Sequence, residues 1–231
     1  YNFLAYRELN EFSDTLQVNF NMKVLVIGAN GKTATRIVSL IKKETAHEPL
    51  AMIRSTTQRA KFDNLGVATV LADLEYPIDH AIMGCDAIIF AAGSGGHTGK
   101  DKTVLVDHIG AIRSMVTAQV HGVKRFLMLS AVNAVEDSNS SIAHYHKAKA
   151  FADRHLMETN LDWTIVCPGN LRDEVGNGLV SVSSEIILQG PTTRDNLANT
   201  LVSCLELPNT IGKRFSLLEG KTPLKEALSN V

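Results

Sequence analysis

The sequence predicts an α/β domain built on a doubly wound parallel sheet, and three observations predict it. Short aliphatic runs alternate with stretches of helical spacing from Met22 to Cys167, the pattern of strands buried on both faces beneath helices. The first run, Lys23 to Ile27, breaks at a glycine directly into a helix start. The 231 residues are 45% hydrophobic, enough for one large core and a single domain.

The first unit organises the rest. Its spacing, Gly28-x-x-Gly31-x-x-Ala34, differs from G-x-G-x-x-G but fills the same three physical jobs. These are a sharp exit from the strand, a close backbone approach, and tight packing of helix on strand. The unpaired N–H groups and positive dipole end of the helix would face a pyrophosphate, with the hydroxyls of Thr33 and Thr35 as further donors. A dinucleotide site is the reading; a glycine turn without a ligand is the alternative.

The later elements follow in order. Pro49 to Arg54 reads as strand, Thr56 to Phe62 as a short helix, Val67 to Leu71 and Asp86 to Ala91 as strands. Lys102 to His121 carries Val104, Val106, Ile109, Ile112, Met115, Val116 and Ala118 at helical spacing and stops at Gly122, predicting one long regular helix. Val123 to Leu129 is the fifth strand, Ile142 to Glu158 a helix, and Leu161 to Cys167 the sixth strand, ended by Pro168 and Gly169. Beyond Pro168 the texture changes. Leu179 to Ser183 alternates as a small exposed strand would, Thr193 suits the cap of a helix reaching Cys204 and Leu205, and Arg214 to Leu218 reads as a last strand. With too few apolar residues for a core of its own, residues 168–231 are expected to form a small C-terminal cap over the carboxyl edge of the sheet, where open α/β sheets bind ligands.

The end of the second strand chooses between the nicotinamide cofactors. An acidic residue there accepts from a ribose 2′-OH, whereas an arginine accommodates a 2′-phosphate. Arg54, Ser55, Thr56 and Arg59 gather there with no carboxylate between Glu48 and Asp63, which favours NADP(H) over NAD(H). Asp73 and Leu74 follow the third strand, placed to accept from an adenine amino group and to cover its ring. Ala91, Ala92 and Gly93 are small enough to let a cofactor lie against the sheet edge, and residues 93–103 read as a lid or an ordinary surface loop.

Catalytic chemistry falls after the fifth strand. Ser130 ends that strand, and Tyr145 and Lys149, four apart, project from one helix face. A lysine beside a phenol favours phenolate and so is expected to lower the tyrosine's pKa. The ammonium can also bond a ribose, and the tyrosine can exchange a proton with a carbonyl.

Composition excludes other classes. With 23 basic and 24 acidic residues and a net charge of -1, nothing recommends a nucleic acid or an anionic membrane as partner. No run reaches the roughly 18 to 20 apolar residues of a membrane span. Cys85, Cys167 and Cys204, odd in number and set in apolar surroundings, fit buried thiols in a reducing cytoplasm. The eight histidines scatter without metal-ligand spacing; His144 and His146 point about 200° apart on a helix. Residues 1–21 form an extension carrying Phe3, Leu4, Tyr6, Leu9, Phe12, Leu16, Val18 and Phe20 without the build of a secretory signal. A docked arm, including one joining copies into a homo-oligomer, and an appended segment are both open.

From Met22 onward the chain resembles the atypical short-chain dehydrogenase/reductases, in particular the small NAD(P)H-binding group related to NmrA-like proteins and biliverdin/flavin reductases. The matching stretches are GANGKTA at 28–34, Arg54, Ala72-Asp73-Leu74, AAGSGGHTGKDKT at 91–103, KRFLMLSAVNA at 124–134, HYHKAK at 144–149 and LDWTIVCPGNLRDE at 161–174. The resemblance implies a Rossmann fold, NADP(H) bound at Gly28, Gly31, Arg54, Asp73 and Ala92, and Tyr145 and Lys149 on the active-site helix. The full candidate cofactor set is Gly28, Asn30, Gly31, Lys32, Thr33, Ala34, Arg54, Ser55, Asp73, Leu74, Ala91, Ala92, Gly93, Ser130, Lys149, Pro168 and Asn170; the candidate catalytic set is Tyr145, Lys149 and Ser130. Two departures stand beside Pro168. Cys167 occupies the place of a usual arginine, and Asn170, expected near the nicotinamide, that of a usual glycine. Three functions are carried forward: a reductase of a small carbonyl, quinone or flavin-like acceptor, a non-catalytic NADP(H) redox sensor, and, more distantly, a nucleotide-sugar epimerase or dehydratase.

Overall fold

The computed structural model describes residues 21–96 and 98–231, so residues 1–20 of the extension, and His97 of the glycine-rich loop, lie outside the described residues. The strands are β1 (Lys23–Ile27), β2 (Glu48–Ile53), β3 (Ala68–Leu71), β4 (Ala87–Phe90), β5 (Arg125–Leu129), β6 (Asp162–Pro168), β7 (Asn170–Arg172), β8 (Leu179–Ser183), β9 (Pro191–Thr193), β10 (Lys213–Glu219) and β11 (Thr222–Pro223). The helices are α1 (Lys32–Glu44), α2 (Arg59–Asp63), α3 (Asp79–Ile82), α4 (Lys100–Lys102), α5 (Ala111–Val120), α6 (Ala143–Met157), α7 (Arg194–Cys204) and α8 (Leu224–Ser229).

Nine strands make one sheet in the order β11-β8-β10-β6-β5-β4-β1-β2-β3, and β7 and β9 pair separately. From β3 to β10 every neighbouring pair is parallel. The direction of winding reverses between β1 and β4, and at that switch point a crevice opens at the carboxyl ends of the strands. This is the doubly wound Rossmann architecture that the alternating pattern predicts, in a single domain.

Strand alternation divides the core. Val24 and Val26 of β1 face one side with Ile37, Val38 and Ile41 of α1 and Leu197 and Leu201 of α7. Leu25 and Ile27 face the other with Ile82 of α3, Met115 of α5 and Leu156 of α6. Each fully buried aliphatic or aromatic side chain of this kind contributes about 1.5–3 kcal/mol. Helix α1 shows why the sequence folds this way locally. Thr33, Ala34, Ile37, Val38 and Ile41 form its buried stripe, and Lys42 and Lys43 sit in its last turn, where the dipole favours cations.

Two expectations need correction. The long helix is not regular: between α4 and α5, residues Thr103–Gly110 are wound as a π-helix. Gly110 touches the third-strand connection so closely that a Cβ would lie 2.9 Å from Leu74 Cβ and 3.0 Å from Leu105 O. The wider winding buries Val106 and Asp107 together. Part of the segment after Pro168 also enlarges the sheet, since β8, β10 and β11 join it. Phe215 and Leu217 of β10 are fully buried in the core, so β10 pairs parallel with β6. Strand β8, read as exposed, lies antiparallel between β10 and β11 with Val180 fully buried. Strands β7, β9 and β11 and helices α3 and α8 escape sequence reading because each is too short to show a period.

Candidate functional site

At the switch point lies a cleft of ≈ 240 Å³, lined by Ile27, Gly28, Asn30, Gly31, Met52, Arg54, Gln58, Ala72, Asp73, Leu74, Ala91, Ala92, Gly93 and Val106. Gly28 must be glycine twice over. Its φ is +81°, and a Cβ would stand 2.6 Å from Ala92 Cα. Gly31 closes the turn by donating from its N–H to Gly28 O at 2.9 Å. It then caps α1 without a side-chain hydrogen bond, so the first N–H groups of the helix stay available to an anion.

At the tip of β2, Arg54 is exposed, and its backbone N–H donates to Gln58 Oε1 at 3.1 Å. The Ser55 hydroxyl accepts from Thr57 N at 3.3 Å and caps the turn Thr56–Gln58. After β3, Asp73 Oδ1 accepts from Glu75 N at 3.0 Å, fixing the turn that presents Leu74. Thr33 and Ala34 are buried against the sheet, and the Thr35 hydroxyl lies within hydrogen-bond distance of Ala29 O and Gly31 O at 3.0 and 2.9 Å. The Thr35 hydroxyl therefore braces the turn from within. Lys32 reaches out to Asp173 at 2.6 Å, and Arg194 meets the same carboxylate at 3.0 Å; the Lys32 hydrogen bond holds Asp173 below the usual carboxylate range.

The carboxyl ends of β4 and β5 carry the second half of the site. Lys149 is sealed from solvent with its Nζ 3.1 Å from Leu129 O, 3.4 Å from Ala92 O and 3.5 Å from Asp107 Oδ1. It lies 5.9 Å from the Tyr145 ring centre and 5.7 Å from that of Phe90. Burial opposes the Lys149 charge, but Tyr145, Asp107 and Asp153 outweigh it and hold its pKa above the ordinary value. The expectation for Tyr145 is reversed. Burial, aided by the carboxylates of Asp107 and Asp153, overcomes Lys149 and pushes the phenol's pKa up. Tyr145 is therefore held protonated at neutral pH, which suits a proton donor.

Ser130 Oγ is 2.6 Å from Asp153 Oδ2, to which Arg214 Nε also comes at 3.3 Å. Burial raises the Asp153 carboxyl against the pull of Ser130, Arg214 and Lys149. Pro168 lies buried at the end of β6, its carbonyl accepting from Val132 N at 3.1 Å. Asn170 is exposed, donating its N–H to Gly190 O at 2.8 Å where β7 meets β9. Beside them Cys167 is a neutral thiol, pushed up to about 12 by burial. Above the cleft, Ser94 N donates to Asp107 Oδ2 at 2.9 Å, tying the glycine-rich loop to the π-helix.

The structure thus brings together Gly28, Asn30, Gly31, Arg54, Asp73, Leu74, Ala91, Ala92 and Gly93 around one cleft, with Lys149 against Ala92 at its edge. Lys32, Thr33, Ala34, Ser55, Ser130, Pro168 and Asn170 are not among its lining residues. Sequence reading missed Gln58, Val106, Asp107 and Asp153. Of these only Asp153 left a signal, since it stands one turn beyond Lys149 on the face that Tyr145 begins. Among the described residues no cluster of three His, Cys, Asp or Glu forms a metal site, and no helix is long and apolar enough to cross a membrane.

The side-chain-free glycine approach, the uncapped helix N-terminus and the aliphatic walls fit a nicotinamide dinucleotide, and comparison with known proteins agrees. The family model described as NAD(P)H-binding matches residues 28–208. A Bacillus subtilis (strain 168) protein named an uncharacterized sugar epimerase, YhfK, is 44% identical over 215 residues, covering 91% of this chain and all of its own. Among solved structures, a Bacillus halodurans protein provisionally assigned as an NAD-dependent epimerase/dehydratase superposes with a TM-score of 0.87 at 40% identity, covering 91% of this chain and 100% of that one. The oxidoreductase ylbE from Lactococcus lactis superposes with a TM-score of 0.81 at 30% identity, covering 91% and 96%. With its switch-point cleft, its glycine turn and a family match across most of its length, the chain belongs to the NAD(P)H-binding family of Rossmann-fold proteins.

Proposed function

We propose that the protein is an NADP(H)-dependent reductase, of the atypical short-chain dehydrogenase/reductase kind, acting on a small carbonyl, quinone or flavin-like acceptor. The observation that carries this reading is Tyr145, a phenol held protonated beside the charged Lys149 at the edge of the dinucleotide cleft. When bound, the cofactor supplies hydride. Gly28, Gly31 and the N-terminus of α1 would hold its pyrophosphate, and Ala91, Ala92 and Gly93 would let it lie close to the sheet. Lys149, fixed by Leu129 O, Ala92 O and Asp107, is placed to bond a ribose hydroxyl. Tyr145 then gives its proton to the oxygen of the reduced acceptor, and Lys149 stabilises the phenolate left behind.

Arg54 supports NADP(H): it stands exposed at the tip of β2, and the stretch between Glu48 and Asp63 holds no carboxylate. A small acceptor is favoured because β8, β10 and β11 are taken up by the sheet, leaving little chain to wall a sugar-nucleotide pocket. The three buried cysteines support a reducing, cytoplasmic setting.

An epimerase or dehydratase is the second reading, favoured by the names of the Bacillus relatives. The two readings separate in one experiment: purified protein is mixed with NADPH and a panel of quinones, flavins and aldehydes, and nicotinamide absorbance is followed. Net consumption of NADPH supports the reductase. An epimerase regenerates its cofactor, and a redox sensor has no turnover, so tight NADPH binding with no consumption across the panel would count against the reductase.

A further inference from the structure

Residues 173–178 join β7 to β8 and are fastened to the first turn of α7. Gly176 N donates to Asp195 Oδ2 at 3.1 Å, and Gly178 N donates to Asn196 Oδ1 at 3.0 Å. Gly176 is seated so tightly there that a Cβ would lie 2.6 Å from Asn196 Oδ1. This seating presents Asp173 to three cations. Lys32 Nζ, from the first residue of α1, stands 2.6 Å from Asp173 Oδ2, and Arg194 Nη1 and Arg36 Nη2 stand 3.0 and 3.9 Å from Oδ1. Arg36 also meets Asp195 Oδ1 through Nε at 2.6 Å. Among the described residues, Asp173 is the one carboxylate that pairs with Lys32.

Lys32 follows Gly31, which caps α1 and lines the cleft, so its ammonium stands at the helix end that attracts anions. An exposed ion pair between two long side chains is weak because both must be ordered. Here the carboxylate sits on a short side chain whose backbone is already fixed by Gly176 and Gly178, which lowers that cost. We propose that Asp173 is an internal competitor for the cofactor's pyrophosphate: it holds Lys32 to itself in the free protein, and Lys32 leaves it for the pyrophosphate when the cofactor binds. The contact thereby sets nucleotide affinity below what the free lysine would give. The inference rests on the dinucleotide reading of the cleft and is independent of the choice between NADP(H) and NAD(H). Arg194 and Arg36 remain beside Asp173 when Lys32 turns away, so its charge is not left alone. The fastenings of Gly176 and Gly178 do not involve Lys32, so residues 173–178 can stay in place throughout.

The test titrates the full chain with ADP, NADPH and NADH, using the parent, Asp173→Asn, Lys32→Gln and the double variant. Asp173→Asn should tighten all three probes roughly three- to fivefold at low salt, and the gain should shrink at about 0.5 M salt, where exposed charges are screened. Lys32→Gln should weaken the probes at least about threefold in the Asp173→Asn background but less than about twofold in the parent, where Asp173 already engages the lysine. Weaker binding by Asp173→Asn would make residues 173–178 a strap that closes over the nucleotide, and overturns the inference. Affinities unchanged by Asp173→Asn overturn it as well. Equal losses on Lys32→Gln in both backgrounds also overturn it, because the two charges then act independently. A parent that binds none of the three probes overturns the dinucleotide reading, and this inference with it.

Discussion

Lys149 Nζ lies 3.5 Å from Asp107 Oδ1, and both side chains are shut away from solvent. The partner of this buried lysine is thus a carboxylate delivered by the π-helix, with no sequence signature of its own. The widened winding at Thr103–Gly110 turns Asp107 inward, where one oxygen meets Lys149 and the other accepts from Ser94 N. The glycine-rich loop and the lysine are joined through this one side chain.

Asp107→Asn should therefore be costly although it is nearly isosteric. Removing one partner of a buried ion pair leaves an uncompensated charge, an effect of about 3–5 kcal/mol. For a domain of this size that corresponds to a fall in melting temperature of roughly 10 °C. Thermal unfolding followed by circular dichroism measures it. An unchanged melting temperature would mean that Leu129 O and Ala92 O suffice for Lys149.

Asp153 predicts a pH dependence whose sign is fixed. Burial raises its pKa above the unfolded value, with Ser130, Arg214 and Lys149 opposing. A carboxyl that holds its proton more tightly when folded adds stability that is complete below its unfolded pKa, about 3.9, and is lost as pH rises through the folded value. The stability of the parent minus that of Asp153→Asn, taken from urea unfolding at a series of pH values, should fall from about pH 4 upward. A difference that climbs over the same window would show that Arg214 and Ser130 favour the carboxylate more than burial disfavours it.

At Gly28 the backbone and the neighbouring strand end leave no alternative residue. Gly28→Ala adds a Cβ at φ +81° and 2.6 Å from Ala92 Cα, a main-chain atom that cannot move alone. A loss of about 2 kcal/mol or more is expected, with NADPH affinity down at least tenfold because the turn and α1 must shift. Gly31, at φ -65° with a single contact at 3.2 Å, should accept alanine far more readily. Equal behaviour of the two variants in NADPH titration would contradict this geometry.

Arg54→Ala should weaken NADPH by about 10- to 100-fold, the equivalent of a charge-assisted contact of roughly 1.5–3 kcal/mol. NADH, which lacks the phosphate, should hardly change. Loss of both cofactors in parallel would make Arg54 a structural residue of the β2 tip.

Much of this was open to sequence reading because the physics involved is local. Lys23–Ile27 is apolar at every central position, Gly28 must follow it, and the stripe of α1 repeats with the helical period, so strand, turn and helix each announce themselves. The cleft-lining residues Gly28, Gly31, Arg54, Asp73 and Ala92 lie at or just beyond strand ends, whose positions come with the strands. What stayed hidden depends on tertiary packing. Nothing in the order of residues 103–110 shows that Gly110 meets Leu74 and the helix widens, so Asp107 could not be placed. The pKa of Tyr145 could not be read from Lys149 alone, because burial, Asp107 from the π-helix and Asp153 two turns along the same helix decide its direction. Phe215 and Leu217 are too few to look like a core in sequence; against β6 and α7 they complete one.

The role of Tyr145 is tested most directly by comparing Tyr145→Phe with the parent in NADPH titration and in steady-state turnover of whichever acceptor the parent reduces. NADPH affinity should stay within about twofold, and turnover should fall by about 10² to 10⁴, the range for loss of a general acid. Because the phenol is held above its ordinary value, parent turnover should also not decline with rising pH until beyond about 10, the unperturbed phenol pKa. Turnover of the variant at the parent rate would contradict proton donation by Tyr145 and leave hydride transfer without a protein acid.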